Sequence, residues 1–353
     1  MFFKLKKTDK LMEDDMKQLI CQEPKKLVYQ QVEEPVVKAG QVKIKIHAIG
    51  ICGTDIHAWG GNQPFFQYPR VLGHEISGTI CEVASDVTQW KVGQRVAVMP
   101  YVACYECGAC KSGKTNCCEK ISVIGVHEDG GFCEYLNVPE NNVLAIADTV
   151  SDIDGALIEP FSISAHAVRR AQVKSQDTVL VVGAGPIGLG VAAIAKADGA
   201  NVLVADTSAA RRQHVEKVLG VTTCDPADEM YLSVIEENFQ GQLAEKVIDA
   251  TGNPHAMNSA VNLIRHGGIV VFVGLFKGNL SFSDPDFHKK ETTMMGSRNA
   301  TLEDFNKVAK LMSEGKLTSE MMLTHQFDFN TIGERYEKDV INNRELIKGV
   351  ILF

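Results

Sequence analysis

Positive charge is in deficit in this chain. Lysine and arginine number 36 against 44 acidic residues, a formal net charge of −8, so no electrostatic case exists for nucleic acid or an anionic membrane as partner. Aromatic residues are scarce, at 7% with two tryptophans, and no basic aromatic patch of the kind a nucleic-acid face requires is present. No apolar run approaches the roughly 20 residues needed to span a bilayer. The opening MFFKLKKTDKLMEDDM is too charged, and its apolar run too short, for a secretory signal. It reads as a disordered extension over residues 1–15, or as upstream codons before a start at Met16. Neither a repeat of solenoid period nor a low-complexity tract occurs. What remains is a soluble globular composition over 353 residues, enough for two domains and a sizeable core. Cysteine breaks the pattern of scarcity, with ten residues. They cluster unevenly and no secretory signal precedes them. Metal ligation in a reducing cytoplasm is therefore expected rather than disulfides.

The stretch from Thr178 to Asp206 organises the rest. Val179-Leu180-Val181-Val182 has the length and branching of a buried parallel strand. The spacing Gly183-x-Gly185-x-x-Gly188 follows at once, then a helical segment from Ile187 to Ala197 and a second strand, Val202 to Ala205, ending on Asp206. Strand, glycine turn, helix, strand and acid, in that order, form the dinucleotide fingerprint. Gly183 permits the tight turn, Gly185 admits a pyrophosphate, and Gly188 lets the helix sit against the strand. Pro186 and Ile187 join these glycines as candidate cofactor residues. Asp206 would bind an adenosine ribose hydroxyl and repel a 2′-phosphate, which favours NAD over NADP. Arg211-Arg212 argues weakly the other way and reads as a solvated helix start, with Arg211 kept in the candidate cofactor set.

From Lys26 to about Pro100 the pattern is that of strands. Val42 to His47 alternates with period two, and Ile76 to Val83 and Arg95 to Met99 are further short strands. Ile49 to His57 and Gly73-His74-Glu75 fit no ordinary core strand, because metal-competent groups sit among apolar neighbours. Glu159 ends an apolar, helix-like stretch from Ile153. Taken singly, Cys52, His74, Glu75 and Glu159 all have ordinary structural readings. Together, scattered over a hundred residues, they have the spacing of a catalytic rather than a structural zinc site. The run Cys104-x-x-Cys107-x-x-Cys110, followed by Cys118 after seven residues, instead fits a closed tetrahedral structural zinc. Cys117 competes for the fourth position on spacing alone. Cys21, Cys81, Cys133 and Cys224 read as ordinary thiols.

Beyond Asp206 helix and strand alternate: Arg211 to Leu219, Lys246 to Asp249, Ala256 to Ile264 and Ile269 to Val273. That alternation predicts a doubly wound parallel sheet. From Thr301 come helices over Asp304 to Glu314 and Ile332 to Ile341, then a closing strand from Gly349 to Phe353, which return to the first domain.

At this point the chain from about Lys17 to Phe353 resembles the zinc-dependent medium-chain alcohol and polyol dehydrogenases. Gly73-His74-Glu75-x-x-Gly78 matches the signature, with Ala84 where glycine is usual and Gln94 in place of a common acid. Gly113 and Asn116 match the structural-zinc lobe, which selects Cys118 over Cys117. Glu75 and Glu159 match the acidic pair of the sorbitol and threonine dehydrogenase branch. HAWGGNQPFFQYPRVLGHE, EKISVIGVHEDGGF, IEPFSISAHAVRR and KKETTMMGSRNAT resemble the bacterial hexonate 5-dehydrogenases, the L-galactonate or L-gulonate oxidoreductases.

The resemblance implies an α/β fold: a Rossmann doubly wound parallel sheet over 159–298, and a GroES-like, mostly β catalytic domain over 1–158 and 299–353. It implies two zinc ions per chain and NAD. Cys52 and His74 would be constant ligands, with Glu75 and Glu159 sharing the remaining positions. Thr54 would relay the substrate proton and His57 would pass it to solvent. The reaction would take the C5 hydroxyl of L-galactonate or L-gulonate to a ketone by hydride transfer. For a sugar-acid carboxylate, Arg298 is the candidate cation, with His127, Asn62 and Asn299 as candidate hydroxyl partners. A homo-dimer or tetramer is expected, often formed in this family through the Rossmann sheet edge. The competing readings are a neutral sorbitol- or galactitol-like polyol dehydrogenase and, more distantly, a zinc-ribbon interaction protein.

Overall fold

The computed structural model describes residues 15–63 and 66–353. The reading of the N-terminal extension falls, up to position 14, outside the described residues. A strand, Asp15–Glu23, begins there with Met16 and Leu19 buried.

Two sheets dominate. The first holds Val143–Ala145, Arg95–Val98, Glu75–Val83, Gln41–Ile51, Gly349–Leu352 and His325–Asp328 in that order, with Tyr135–Pro139 also paired to Gln41–Ile51. Most of its ladders are antiparallel, as expected where the strands are short and turn-linked. The period-two reading of Val42 to His47 needs one correction. Lys43 is buried, because its ammonium is paired with Glu82 at 2.8 Å and Glu34 at 3.3 Å. The expectation that Ile49 to His57 and Gly73 to Glu75 avoid strands also fails in part. Gln41–Ile51 runs through Ile51, and Glu75 opens its own strand. The two pair as Gly50 opposite Glu75, which places Cys52 and His74 just beyond the ends of neighbouring strands.

The second sheet is wholly parallel. Its order is Thr222–Cys224, Asn201–Ala205, Thr178–Val182, Ala244–Asp249, Ile264–Phe272, Thr293–Gly296. The order reverses beside Thr178–Val182, so a crevice opens at the carboxyl ends of that strand and of Ala244–Asp249. Helices Pro186–Ala197, Ala209–Leu219 and Pro254–Leu263 connect its strands. The helix expected over Asp304 to Glu314 spans Leu302–Ser313. That expected over Ile332 to Ile341 begins earlier, as Phe329–Tyr336, and widens to a π-helical turn at Glu337–Ile341.

The two sheets share a core. One apolar cluster runs from Ala48, Ala97 and Leu144 through Leu157, Ile158 and Phe161 to Val179, Val181 and Leu189. The helix Ile158–Arg170 is the bridge, with ten buried residues among its thirteen. Ser162 and Ser164 are tolerated inside because their hydroxyls donate to Ile158 O and Pro160 O, one turn back.

Candidate active site

The first cluster forms where Gln41–Ile51 ends and the helix Gly53–Trp59 begins. The ligand atoms of Cys52, His74 and Glu75 all lie within 4.8 Å of one another. Asp55, fully buried, organises two of them. One carboxylate oxygen accepts the Cys52 N–H at 2.8 Å and the other the Gly73 N–H at 3.0 Å, while His74 Nδ1 stands 3.9 Å away. Burial pushes the Asp55 carboxyl up, and the His74 charge opposes that.

Glu75 is buried and its Oε1 accepts from the ammonium of Lys348, which is itself buried and also donates to Ile51 O at 3.0 Å. Glu75 Oε2 is buried without a partner. Opposite it stands Gly50, where a Cβ would lie 1.8 Å from Glu75 Oε2, so only glycine allows this approach. A thiol, an imidazole and an orphaned carboxylate oxygen at this range are a donor set suited to zinc, with room in the coordination sphere for a further group.

Glu159 was expected to end a helical stretch. It lies instead in the first turn of Ile158–Arg170, buried, and accepts from the Tyr101 hydroxyl. Its carboxylate is outside the group of three. Burial pushes it up to about 7, the His74 charge lowers it and the Glu75 charge raises it. Thr54 is half-buried in the first turn of Gly53–Trp59, and His57, three residues on and on the same face, is exposed.

The second cluster lies between the paired strands Tyr101–Val102 and Ser122–Val123. Sulfur atoms of Cys104, Cys107, Cys110 and Cys118 fall within 4.8 Å of one another, and Cys117 is exposed outside the group. The N–H groups of Glu119 and Cys110 hold the Cys107 thiol down at about 6, and those of Glu106 and Cys107 lower Cys104. Burial pushes Cys110 up to about 12. Four convergent sulfurs fed by backbone donors fit a closed, four-coordinate zinc. All ten cysteines are free.

The glycine turn has the shape a dinucleotide needs. Gly183 has φ +99°, the left-handed region that side chains avoid. A Cβ at Gly188 would sit 1.8 Å from Gly183 O, whereas one at Gly185 would meet nothing within 4 Å. The space over Gly185, at the start of Pro186–Ala197, is a cradle for a pyrophosphate. Asp206 accepts from Ala184 N and Ser208 N, each at 2.7 Å, with the Arg211 guanidinium 3.8 Å away.

The candidate substrate residues are dispersed. The Arg298 side chain is exposed while its carbonyl accepts from Asn116 Nδ2 at 2.8 Å. Asn299 donates to Asn116 O. Asn62 is exposed and its carbonyl accepts weakly from Lys277 at 3.5 Å. His127 is exposed, and its Nδ1 accepts from Val123 N within its own turn. Three residues at the first cluster escaped the sequence reading. Lys348 and Tyr101 carry no local signal. Asp55, three residues after Cys52 at a helix start, did carry the signal of a capping acid.

Residues 38–148 match the model of the alcohol dehydrogenase GroES-like domain, and 186–314 that of the zinc-binding dehydrogenase. The L-galactonate-5-dehydrogenase of Escherichia coli K12 is 67% identical, over 96% of this chain and 99% of that one. The chain belongs to the zinc-dependent medium-chain dehydrogenases. As a dehydrogenase of this family it is an oxidoreductase, and the reading as a zinc-ribbon interaction protein is set aside. Solved dehydrogenases share the fold. The E. coli CFT073 rspB protein, in complex with NADH, superposes with a TM-score of 0.90 at 33% identity over 96% of this chain and all of its own. Galactitol-1-phosphate dehydrogenase of E. coli does so at 0.89 and 27%, with the same coverage. Among the described residues, no helix is long and apolar enough to cross a membrane.

Proposed function

We propose that this dehydrogenase is NAD-linked, holds two zinc ions per chain, and oxidises the C5 hydroxyl of L-galactonate or L-gulonate to a ketone. The observation that carries the substrate class is the 67% identity, along nearly the whole of both chains, to a protein named L-galactonate-5-dehydrogenase. When bound, zinc supplies a Lewis acid that acidifies the alcohol, and the nicotinamide ring accepts the hydride. Cys52, His74 and Glu75 would hold the catalytic ion, with Glu159 in reserve behind Tyr101. Cys104, Cys107, Cys110 and Cys118 would hold the structural one. Gly183, Gly185, Pro186, Ile187 and Gly188 would seat the pyrophosphate, and Asp206, beside Arg211, the adenosine ribose.

The remaining roles fall to this chain's side chains. Thr54, on the half-buried side of its helix, relays the proton, its oxygen accepting the substrate's as its own passes towards His57, and exposed His57 releases it to solvent. Arg298 holds the substrate carboxylate with two parallel hydrogen bonds, while His127, Asn62 and Asn299 bind hydroxyls. The same reading divides the chain into a catalytic domain, 1–158 with 299–353, and a cofactor domain, 159–298. Thr293–Gly296 is the outer strand of the parallel sheet, and copies would assemble into dimers or tetramers across it.

The test is NAD reduction with L-galactonate, L-gulonate, sorbitol, galactitol and threonine. At least tenfold higher kcat/KM for a hexonate is expected. A hexitol oxidised faster than both hexonates would replace this reading with that of a neutral polyol dehydrogenase.

A further inference from the structure

The thiolate lobe reaches the segment that carries Arg298 through one buried side chain. Asn116 lies two residues before Cys118, and its Nδ2 makes two bonds, to Arg298 O at 2.8 Å and to His166 Nε2 at 3.1 Å. Asn299 completes the clamp from the other side, donating to Asn116 O at 3.1 Å. The clamp holds a backbone that does not sit there by preference, since Asn299 has φ +52°.

Both far ends of this clamp are fixed. His166 Nδ1 bonds Asp304 Oδ2 at 2.9 Å, and Asp304 in turn accepts from Arg169 and from Thr301 N at the start of Leu302–Ser313. Arg169 Nη2 also donates to Thr301 Oγ1. The segment 298–304 is therefore pinned at one end by Asn116 and at the other by the Arg169–Asp304 pair. His166 belongs to the helix whose first turn carries Glu159. Both hydrogens of the Asn116 amide are spent on these contacts, so no other residue type of that size satisfies both acceptors.

We propose that Asn116 is a positioning residue for substrate: from the thiolate lobe it sets the place of Arg298, so the lobe contributes to substrate affinity as well as to stability. This rests on the reading of Arg298 as the partner of the substrate carboxylate. A buried amide bridging two acceptors does not adjust when one end shifts, because an unpaired acceptor is costly. Loosening it frees the backbone under Arg298 and disperses the guanidinium.

The test is a double-mutant cycle on the zinc-loaded enzyme, using Asn116→Ala, Arg298→Ala and the pair, with KM and kcat measured for L-galactonate and KM for NAD. Zinc per chain and Tm are recorded for each variant. Asn116→Ala is expected to raise KM for L-galactonate about tenfold, leaving KM for NAD and the zinc count unchanged. In the Arg298→Ala background it should add nothing, because the guanidinium it positions is gone. Effects that multiply, a KM at the wild-type value, or an Arg298→Ala variant without a KM effect would each overturn the proposal. If Asn116→Ala loses zinc or folds poorly, Asn116→Ser decides. Serine keeps one donor for the two acceptors, and about a threefold rise, again absorbed by Arg298→Ala, is expected. Wild-type preference for galactitol would overturn the hexonate reading alone. The cycle run on L-galactonate, the ligand that carries the carboxylate, would then still report whether Asn116 acts through Arg298.

Discussion

Lys348 and Glu75 are both buried, and each is the other's charge partner. Two ions drawn out of water cost more to strand singly than to remove together. Lys348→Met leaves the Glu75 carboxylate uncompensated and should lower stability by about 3–5 kcal/mol. Lys348→Met with Glu75→Gln should recover most of that loss in a thermal scan. If the single variant melts at the wild-type temperature, the pair does not carry the charge of Glu75. The Lys348–Glu75 partners are 273 positions apart and the Tyr101–Glu159 partners 58. No local pattern connects residues so placed, which is why neither Lys348 nor Tyr101 was legible in the sequence. Cys52, His74 and the four lobe cysteines were legible, because ligand chemistry restricts residue type and the lobe ligands are close in sequence.

Among the elements, Ile158–Arg170 does most to join site to scaffold, carrying Glu159 at one end and His166 and Arg169 at the other. Asp304, its partner, is buried, which alone would raise its carboxyl. His166, Arg169 and the Thr301 N–H outweigh burial and hold it below the usual carboxylate range. A folded-state pKa below the unfolded one gives stability that is present above the unfolded value and lost as pH falls through the folded value. Asp304→Asn should therefore lower Tm at neutral pH. Its deficit against wild type should shrink as pH is taken from about 5 towards 2. A constant deficit would mean that shape rather than charge holds the helix pair. Glu159 was misread as the end of a helix because the break falls at Leu157, an apolar residue, between Asp152–Ala156 and Ile158–Arg170, while the nearby Gly155 lies inside the first of the two. Most strands and helices of the parallel sheet were legible within a few residues, since buried strands and helix starts are written locally. The short strand Thr222–Cys224 and the helix Tyr231–Asn238 were not read, and Ile264–Phe272 begins five residues before the expected Ile269.

For the molecule as a whole, the two clusters are separate in sequence and have different donor sets. Metal analysis should find two zinc ions per chain in wild type and one in Cys52→Ser. That variant should show no turnover while binding NADH, by fluorescence titration, as tightly as wild type. Normal turnover in Cys52→Ser would sink the assignment of the first cluster.

The two sheets also differ in when they can be finished. The parallel sheet is drawn from one continuous span, Thr178 to Gly296. The other sets Gly349–Leu352 against Gln41–Ile51, and the ammonium that neutralises Glu75 arrives 273 residues after it. At about 5–20 residues per second on a ribosome, Glu75 waits roughly 15–55 s for its counter-ion. During that interval the parallel sheet can fold behind it, while the end of Gln41–Ile51 that later pairs with Gly349–Leu352 is an open strand edge.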